Sequence, residues 1–147
     1  MKKYSRFFLM IAVSTVFMYI MMYLNTYEFS HVYFSRTRFF MALMMGAGMA
    51  FVMLGFMWRM YKNKRVNVAI LITSVVVFFS SLYMVRSQST VDDVSWMKAM
   101  IPHHSIAILT SERANISDPR VRALADQIIE AQEREIQEMK NLIKELE

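Results

Sequence analysis

Three long runs without a charged residue constrain this chain more than any other feature of its sequence. The runs extend over residues 7–27, 39–58 and 66–85. Each is close to the length of about 20 apolar residues that an α-helix needs to cross the hydrocarbon core of a bilayer. A helix satisfies its own backbone hydrogen bonds within lipid, so the sequence predicts three transmembrane helices. The first run is too long for a cleaved signal peptide, and no small-residue cleavage site follows it.

The charges are divided unequally between the two halves of the chain. Residues 1–85 carry nine Lys or Arg and one acidic residue, whereas residues 86–147 carry eight basic and eleven acidic residues. The basic half is also the apolar half, which is typical of a membrane protein and not of a nucleic-acid-binding surface. We therefore expect a lipid bilayer, and no nucleic acid, as the partner of this half.

Basic residues flank the predicted spans in a biased way. Seven lie before the first span or between the second and third, and two lie between the first and second. The positive-inside rule then places the amino terminus in the cytoplasm and the carboxy-terminal part outside. The sequence predicts a transmembrane domain over residues 1–86 and an extracytoplasmic helical domain over residues 87–147.

Small residues and methionines recur at helical spacing in the second run. Ala42, Gly46 and Ala50 repeat every four residues, which predicts a face that packs closely against another helix. Methionines repeat at the same interval, at positions 41, 45, 49, 53 and 57. Thioethers bind Cu(I) and Ag(I), but methionine is also a flexible apolar residue that packs against aromatic rings. Packing is the favoured interpretation of this stripe.

The acidic half shows the pattern of two amphipathic helices. Asp92 or Asp93 is a candidate N-cap of the first, and Pro102 is predicted to kink or restart it. Asp118 followed by Pro119 marks the start of the second, which continues to the carboxy terminus. The fold class is therefore all-α, with three transmembrane helices followed by an αα-hairpin.

A two-helix hairpin buries little apolar surface by itself. We expect oligomerisation to complete it to a helical bundle, and a homodimer would do so as a four-helix bundle. Packing on another protein or on the chain's own membrane segment is the alternative.

The residues with the most distinctive chemistry lie in the first hairpin helix. Met97, Met100 and His104 stand at i, i+3 and i+7, so they project from one helical face, and His103 adjoins them. The chain has no cysteine, so a bound metal would need histidine, methionine or carboxylate ligands. Imidazole and thioether donors suit Cu(I) or Ag(I).

A register estimated from the loop length brings part of the second helix to this face. It places Gln132, Glu135 and Met139 beside the histidines and methionines. Gln132 and Glu135 interrupt an otherwise apolar seam, and polar groups in a seam need partners. The alternative is that the histidines are solvated or hydrogen-bonded and that the methionines pack in the core.

A possible enzymatic site rests on Glu28 and His31, which form one Glu-x-x-His motif. A carboxylate di-iron bundle needs a second such motif and two further inward-facing glutamates, and the predicted spans lack these glutamates. No Ser/His/Asp arrangement or glycine-rich phosphate loop is visible. The sequence therefore predicts no enzymatic activity.

Two short motifs carry a resemblance to a known family. The run Met-Ile-Pro-His-His at 100–104 and the pattern Gln-x-x-Glu-Ile-x-x-Met at 132–139 resemble the signature of the domain-of-unknown-function 305 family, DUF305. The resemblance covers about residues 92–146. It implies a ferritin-like helical bundle outside the cytoplasmic (inner) membrane of a bacterium, associated with copper or silver binding and tolerance.

The family resemblance also implies a set of ligands and a role. The candidate metal ligands are Met100, His103, His104 and Met139, and more weakly Met97. We thus expect a membrane-anchored protein that binds copper as Cu(I), or silver, with a copper-handling membrane protein as a further partner. The alternative function is a non-catalytic membrane assembly protein whose hairpin is an oligomerisation module.

Overall fold

The computed structural model describes residues 2–147 of the chain, and the described part is helical with no β-strand. A single turn of 3-10 helix at Phe29–His31 separates the first two α-helices. The α-helices are α1 (Lys2–Met21), α2 (Arg36–Phe56), α3 (Lys64–Ser87), α4 (Asp93–Arg113) and α5 (Pro119–Leu146). The predicted all-α fold is confirmed.

Residues 2–22 and 37–90 form the first of two compact units, which we call the membrane unit. Its three helices are each long and apolar enough to cross a membrane. They pack around a buried cluster of aromatic and aliphatic side chains, comprising Phe7, Ala50, Leu54, Tyr61 and Ile70. The chain is thus a membrane-associated helical protein.

The small-residue face of α2 packs against α1, as its spacing predicts. Ala42, Gly46 and Ala50 are all buried. A Cβ added at Gly46 would lie 2.3 Å from the Thr15 hydroxyl oxygen of α1, so any larger residue at this position would require Thr15 or the helix to shift. Methionines of the stripe also serve packing, because Met53 and Met57 lie against the apolar cluster.

The first helix ends earlier than the charge-free run suggests. The run continues to Tyr27, but α1 ends at Met21 and the chain turns over the next residues. Hydropathy detects apolar side chains and not helical backbone, so an apolar segment beyond the helix extends the run. Residues 23–36, which follow α1, belong to the second compact unit.

Residues 23–36 and 91–147 form that second unit, which we call the outer unit. The Asp92 carboxylate caps α4 by accepting a hydrogen bond from the Ser95 N–H at 2.7 Å. Asp118 caps α5 in the same way through the Arg120 N–H at 2.8 Å, with Pro119 as the first helical residue. Both predicted helix starts are confirmed.

Helices α4 and α5 form the predicted hairpin. Its core consists of six buried side chains, which are Met97, Ile101, Ile108, Ile136, Met139 and Ile143. Pro102 is fully buried within α4, and the helix continues through it. Proline removes one backbone donor, and the surrounding core contacts hold the helix together at this point.

The segment 23–36 packs against the hairpin, a contact that the sequence did not reveal. Tyr33 lies against the hairpin core, and the buried His31 contacts Ser105 of α4. Segment 23–36 and the hairpin therefore form one compact unit, although more than 50 residues separate them in the sequence.

Candidate functional site

Helix α4 carries four of the five predicted ligands, and the structure distributes them over different environments. Met97 is 4% exposed, and Met100 is partly buried. His104 is half-buried, whereas His103 is exposed to solvent. The pattern follows from the helical repeat, because neighbouring residues on a helix point about 100° apart.

Two of the predicted thioethers belong to the hairpin core. Met97 of α4 and Met139 of α5 are members of the same buried cluster, and Met100 packs against that cluster. All three methionines thus contribute to the apolar core between the helices. In this position they also fill apolar space, which is the ordinary structural role of methionine.

His104 lies at the centre of the polar contacts between the two helices. Its Nδ1 is 3.0 Å from the backbone carbonyl oxygen of Met100, one turn earlier in α4. Its Nε2 is 2.8 Å from a carboxylate oxygen of Glu135 in α5. Both partners are hydrogen-bond acceptors, so both contacts are hydrogen bonds only when each ring nitrogen carries a proton.

Glu135 connects the histidine to its own helix. The Gln132 side-chain amide donates to the same carboxylate oxygen over 3.4 Å. The Glu135 side chain is 45% exposed, whereas that of His104 is 12% exposed. Gln132 and Glu135, the two polar residues in the apolar seam of α5, therefore both have hydrogen-bond partners.

His103 supplies a second imidazole next to this pair. The ring centroids of His103 and His104 are 6.1 Å apart. Within residues 2–147, no three histidine or carboxylate side chains converge closely enough to hold a metal ion by themselves. The site is thus a single histidine–carboxylate pair with an adjacent exposed imidazole.

A second polar cluster, in the outer unit, was not predicted. His31 Nδ1 is 3.0 Å from the Ser105 hydroxyl oxygen, and the Tyr27 backbone N–H donates to that oxygen over 2.7 Å. His31 Nε2 lies 3.7 Å from a carboxylate oxygen of Glu28, so the Glu-x-x-His motif is in contact internally. Ser105 is fully buried, which makes this cluster a link between segments.

Burial has an electrostatic effect at this link. It lowers the pKa of His31, and the positive charge of Lys140 lowers it further, whereas Glu28 acts in the opposite direction. The Glu112 carboxylate raises the pKa of the neighbouring Tyr27 phenol. Sequence reasoning missed this link because its residues are about 70 or more positions apart, and the Glu28/His31 pair was the one available signal.

Comparison with known proteins identifies the carboxy-terminal part of the chain. Residues 83–146 match the family described as Domain of unknown function (DUF305). This segment is a DUF305 domain. It contains the end of α3, the whole of α4 and α5, and every predicted ligand, so the resemblance based on the two motifs is confirmed.

A curated viral protein is similar to part of this chain. An uncharacterized protein of Acanthamoeba polyphaga mimivirus is 38% identical over 77 residues, which is 51% of each protein. The chain therefore spans about half the length of this curated relative. No solved structure matches the chain significantly. The membrane unit and the DUF305 domain together describe a membrane-anchored helical protein.

Proposed function

We propose that this protein binds Cu(I) or Ag(I) at His104 of its DUF305 domain and holds the ion at the membrane surface. The observation that carries the proposal is the arrangement of the His104 ring. Metal-bound histidines commonly donate their second ring N–H to a carbonyl or carboxylate, which fixes the ring orientation. The Met100 carbonyl has this role toward Nδ1, so Nε2 is the nitrogen for the ion.

The surroundings of Nε2 favour a cation of soft character. A bound ion would replace the proton between His104 Nε2 and Glu135. The negative charge of the Glu135 carboxylate would then balance the positive charge of the ion. Met100 is the nearest thioether along α4, and His103 offers a second imidazole from the exposed side. Thioethers and imidazoles favour Cu(I) and Ag(I) over hard cations, and Zn(II) gains little from thioethers.

The first test compares ion affinity among histidine variants of the full chain in detergent. Replacing His103 and His104 together by glutamine should lower Ag(I) affinity about tenfold or more, because the loss of even an outer-shell partner of a ligand commonly costs at least that much. His31→Gln is the matched control and should bind Ag(I) like the wild type, since His31 lies in the other polar cluster. Unchanged affinity in the double variant would show that the histidines bind no metal.

A second variant separates thioether from imidazole binding. Met100→Leu keeps the apolar volume roughly constant. It should weaken Cu(I) binding more than Zn(II) binding, because only the soft ion uses the sulfur. Equal affinities for Cu(I) before and after the substitution would make the site a histidine site without thioether ligation.

The charge bias around the spans supports an external DUF305 domain. Seven basic residues lie on the amino-terminal side of the predicted topology against two on the other side. A reporter enzyme that works only outside the cytoplasm should be active when it is fused after Glu147, and a reporter that works only in the cytoplasm should be inactive there. Activity of a reporter that functions only in the cytoplasm would reverse the orientation and place the metal site inside the cell.

A second candidate function is supported by the hairpin surface. Met97 and Met139 are core residues in this structure, and apolar side chains of α5 remain exposed. An assembly module without metal would use these features and would not need the histidines. The double glutamine variant distinguishes the two functions, since assembly would survive it and ion binding would not.

A further inference from the structure

The charges of the membrane unit lie mostly at one end of its three helices. Residues 1–22 and 37–90 contain nine Lys or Arg and no Asp or Glu. Six of the basic side chains are exposed and lie at the start of α1, in the turn between α2 and α3 or at the start of α3, and we call them the basic end: Lys3, Arg6, Arg59, Lys62, Lys64 and Arg65. No carboxylate of this unit can balance their charge, because the unit has none.

Hydrogen bonds join the start of α1 to the turn between α2 and α3. The Tyr4 hydroxyl donates to the side-chain oxygen of Asn67 over 2.8 Å and lies 3.2 Å from the backbone carbonyl oxygen of Asn63. Asn67 is fully buried, and its side-chain amide donates to the Tyr61 carbonyl oxygen over 2.8 Å. Tyr4 lies between the two basic residues of α1, so these contacts bring the charges of α1 to those of the turn.

Apolar contacts hold the same junction. The ring centroids of Tyr4 and Tyr61 are 5.0 Å apart, and those of Phe7 and Tyr61 are 5.5 Å apart. Phe7 and Tyr61 also belong to the buried cluster of the membrane unit. The start of α1 and the turn are therefore parts of one packed structure and not two independent tails.

The basic end lies at the depth of the lipid headgroups when the three helices span a bilayer. Arg6 directly precedes the first charge-free run, Arg59 follows the second, and Arg65 precedes the third. The end of an apolar run marks the boundary of the hydrocarbon core. Tyr4 and Trp58 lie at the same boundaries, and Tyr and Trp are enriched at headgroup level. The charges and the aromatic rings thus indicate one interfacial layer.

This layer provides positive charge where phospholipids carry phosphate. Like charges that are close together repel one another, and an anion bound among them removes the repulsion. Arg and Lys side chains bind phosphate oxygens through charge-assisted hydrogen bonds. Clusters of about four to eight Lys or Arg beside a spanning helix are typical of surfaces that attract anionic lipids. A zwitterionic lipid carries a positive group of its own and therefore fits the basic end less well.

We propose that the basic end binds the headgroup phosphate of an anionic phospholipid, and that basic residues of α1 and of the turn between α2 and α3 bind it jointly. Charge complementarity and the position at headgroup depth carry this inference. It uses contacts within the membrane unit alone and does not depend on ion binding at His104.

Trp58 is a natural reporter of lipid binding because it adjoins Arg59. The chain has one other tryptophan, Trp96 of the outer unit, so Trp96→Phe leaves Trp58 as the single indole. The full chain with this substitution is reconstituted into phosphatidylcholine vesicles that contain equal fractions of either brominated phosphatidylglycerol or brominated phosphatidylcholine, since bromine quenches a nearby indole. Phosphatidylglycerol should bind beside Trp58 at least about tenfold more strongly, because each basic residue near a membrane surface contributes about fivefold.

Arg65→Gln and its matched control compare the two ends of α3. Arg65 belongs to the basic end, and Arg86 is an exposed arginine about 30 Å away along the same helix. Arg65→Gln should lower the preference for phosphatidylglycerol about fivefold. Arg86→Gln should leave the preference unchanged, because salt at about 0.1 M screens charges beyond about 10 Å. Equal losses in both variants would show an effect of net charge and overturn the site.

A variant of α1 tests joint binding. Replacing Lys3 and Arg6 together by glutamine retains Tyr4 and its contacts, and circular dichroism checks that the helices remain. The double variant should lower the preference at Trp58 by at least about fivefold, because its charges lie beside those of the turn. An unchanged preference would restrict binding to the turn and overturn the joint site.

Two further results would overturn lipid binding at the basic end. Equal binding of the two lipids beside Trp58 in the Trp96→Phe protein would leave an acidic protein surface as the partner of these charges. Inorganic phosphate, added at constant ionic strength, should not affect the preference. If it abolishes the preference, the basic end binds free phosphate and not lipid. Neither result affects the proposed function at His104.

Discussion

The membrane unit and the outer unit both expose large apolar side chains, but the exposure has opposite meanings in the two regions. In α1, Leu9 and Phe17 are 65% and 60% exposed, and lipid covers such residues in a spanning helix. In α5, which is amphipathic and is not among the candidate spans, Leu124 and Leu142 are 56% and 40% exposed. An exposed apolar side chain therefore indicates a protein partner only where it would otherwise contact water and not lipid.

Two contacts between distant parts of the chain, one in each unit, differ in kind. In the membrane unit α2 approaches α1 through Gly46, where the packing leaves no room for a side chain. In the outer unit segment 23–36 is attached through the Ser105 hydroxyl, which contacts both Tyr27 and His31. The Gly46 contact should therefore depend on close packing, and the Ser105 contact on hydrogen bonding.

The largest expected effect concerns the Gly46 contact in the membrane unit. Gly46→Leu should destabilise the membrane unit by about 2–3 kcal/mol, because overfilling a packed contact costs this much. The Thr15 hydroxyl cannot turn away freely, since it donates to the Ile11 carbonyl over 2.8 Å. Hydrogen exchange of the full chain in detergent should accelerate in α1 and α2 peptides but not in the outer unit.

The control for this variant is Gly55→Leu in the same helix. A Cβ at Gly55 would meet nothing within 4 Å, so the substitution should leave exchange close to that of the wild type. Equal acceleration in both variants would mean that the Gly46 contact does not limit the stability of the membrane unit.

The second effect tests the polar attachment in the outer unit. Ser105→Ala leaves the Tyr27 N–H and the His31 ring without their shared partner, and a buried group that loses its partner costs about 1–3 kcal/mol. Exchange should accelerate in residues 23–36 while α1 and α2 keep their protection. Ser111→Ala is the control, because it retains the Ser111 carbonyl to which Arg122 donates. Unchanged protection of 23–36 in Ser105→Ala would show that apolar contacts such as Tyr33 suffice.

The smallest effect is a pH dependence restricted to the outer unit. Burial holds the pKa of His31 below its ordinary value of about 6.5, and the neighbouring Lys140 lowers it further, against Glu28. The unfolded chain therefore takes up this proton more readily than the folded one. Stability is complete above about pH 6.5 and decreases as the pH falls toward the lowered pKa.

Hydrogen exchange of residues 23–36 at about pH 7.5 and at about pH 5.5, corrected for the intrinsic exchange rate, measures this loss of stability. His31→Gln removes the titrating group and should abolish the additional loss at the lower pH. A pH response that is the same in both proteins would assign the effect to another group.

The candidate site was predicted in part. The residues that meet near His104 were identified from helical spacing and loop length, because both are local rules that a hairpin obeys. The direct pairing of His104 with Glu135, and the solvent exposure of His103 beside it, depend on how the two helices rotate against each other. That rotation is set by the packing of core side chains such as Ile101 and Ile136, which spacing alone does not describe.

The sequence by itself determined that five helices form and where the two hairpin helices begin. Length and hydropathy define the spans, and Asp92 and Asp118 each start a helix through hydrogen bonds to residues two or three positions away. Only the tertiary structure decided that α1 ends at Met21 and that the following segment covers the hairpin. The contact between His31 and Ser105 joins residues 74 positions apart, and no local preference specifies such a pair. Local hydrogen bonding acts within a few residues, whereas burial depends on which distant surfaces meet.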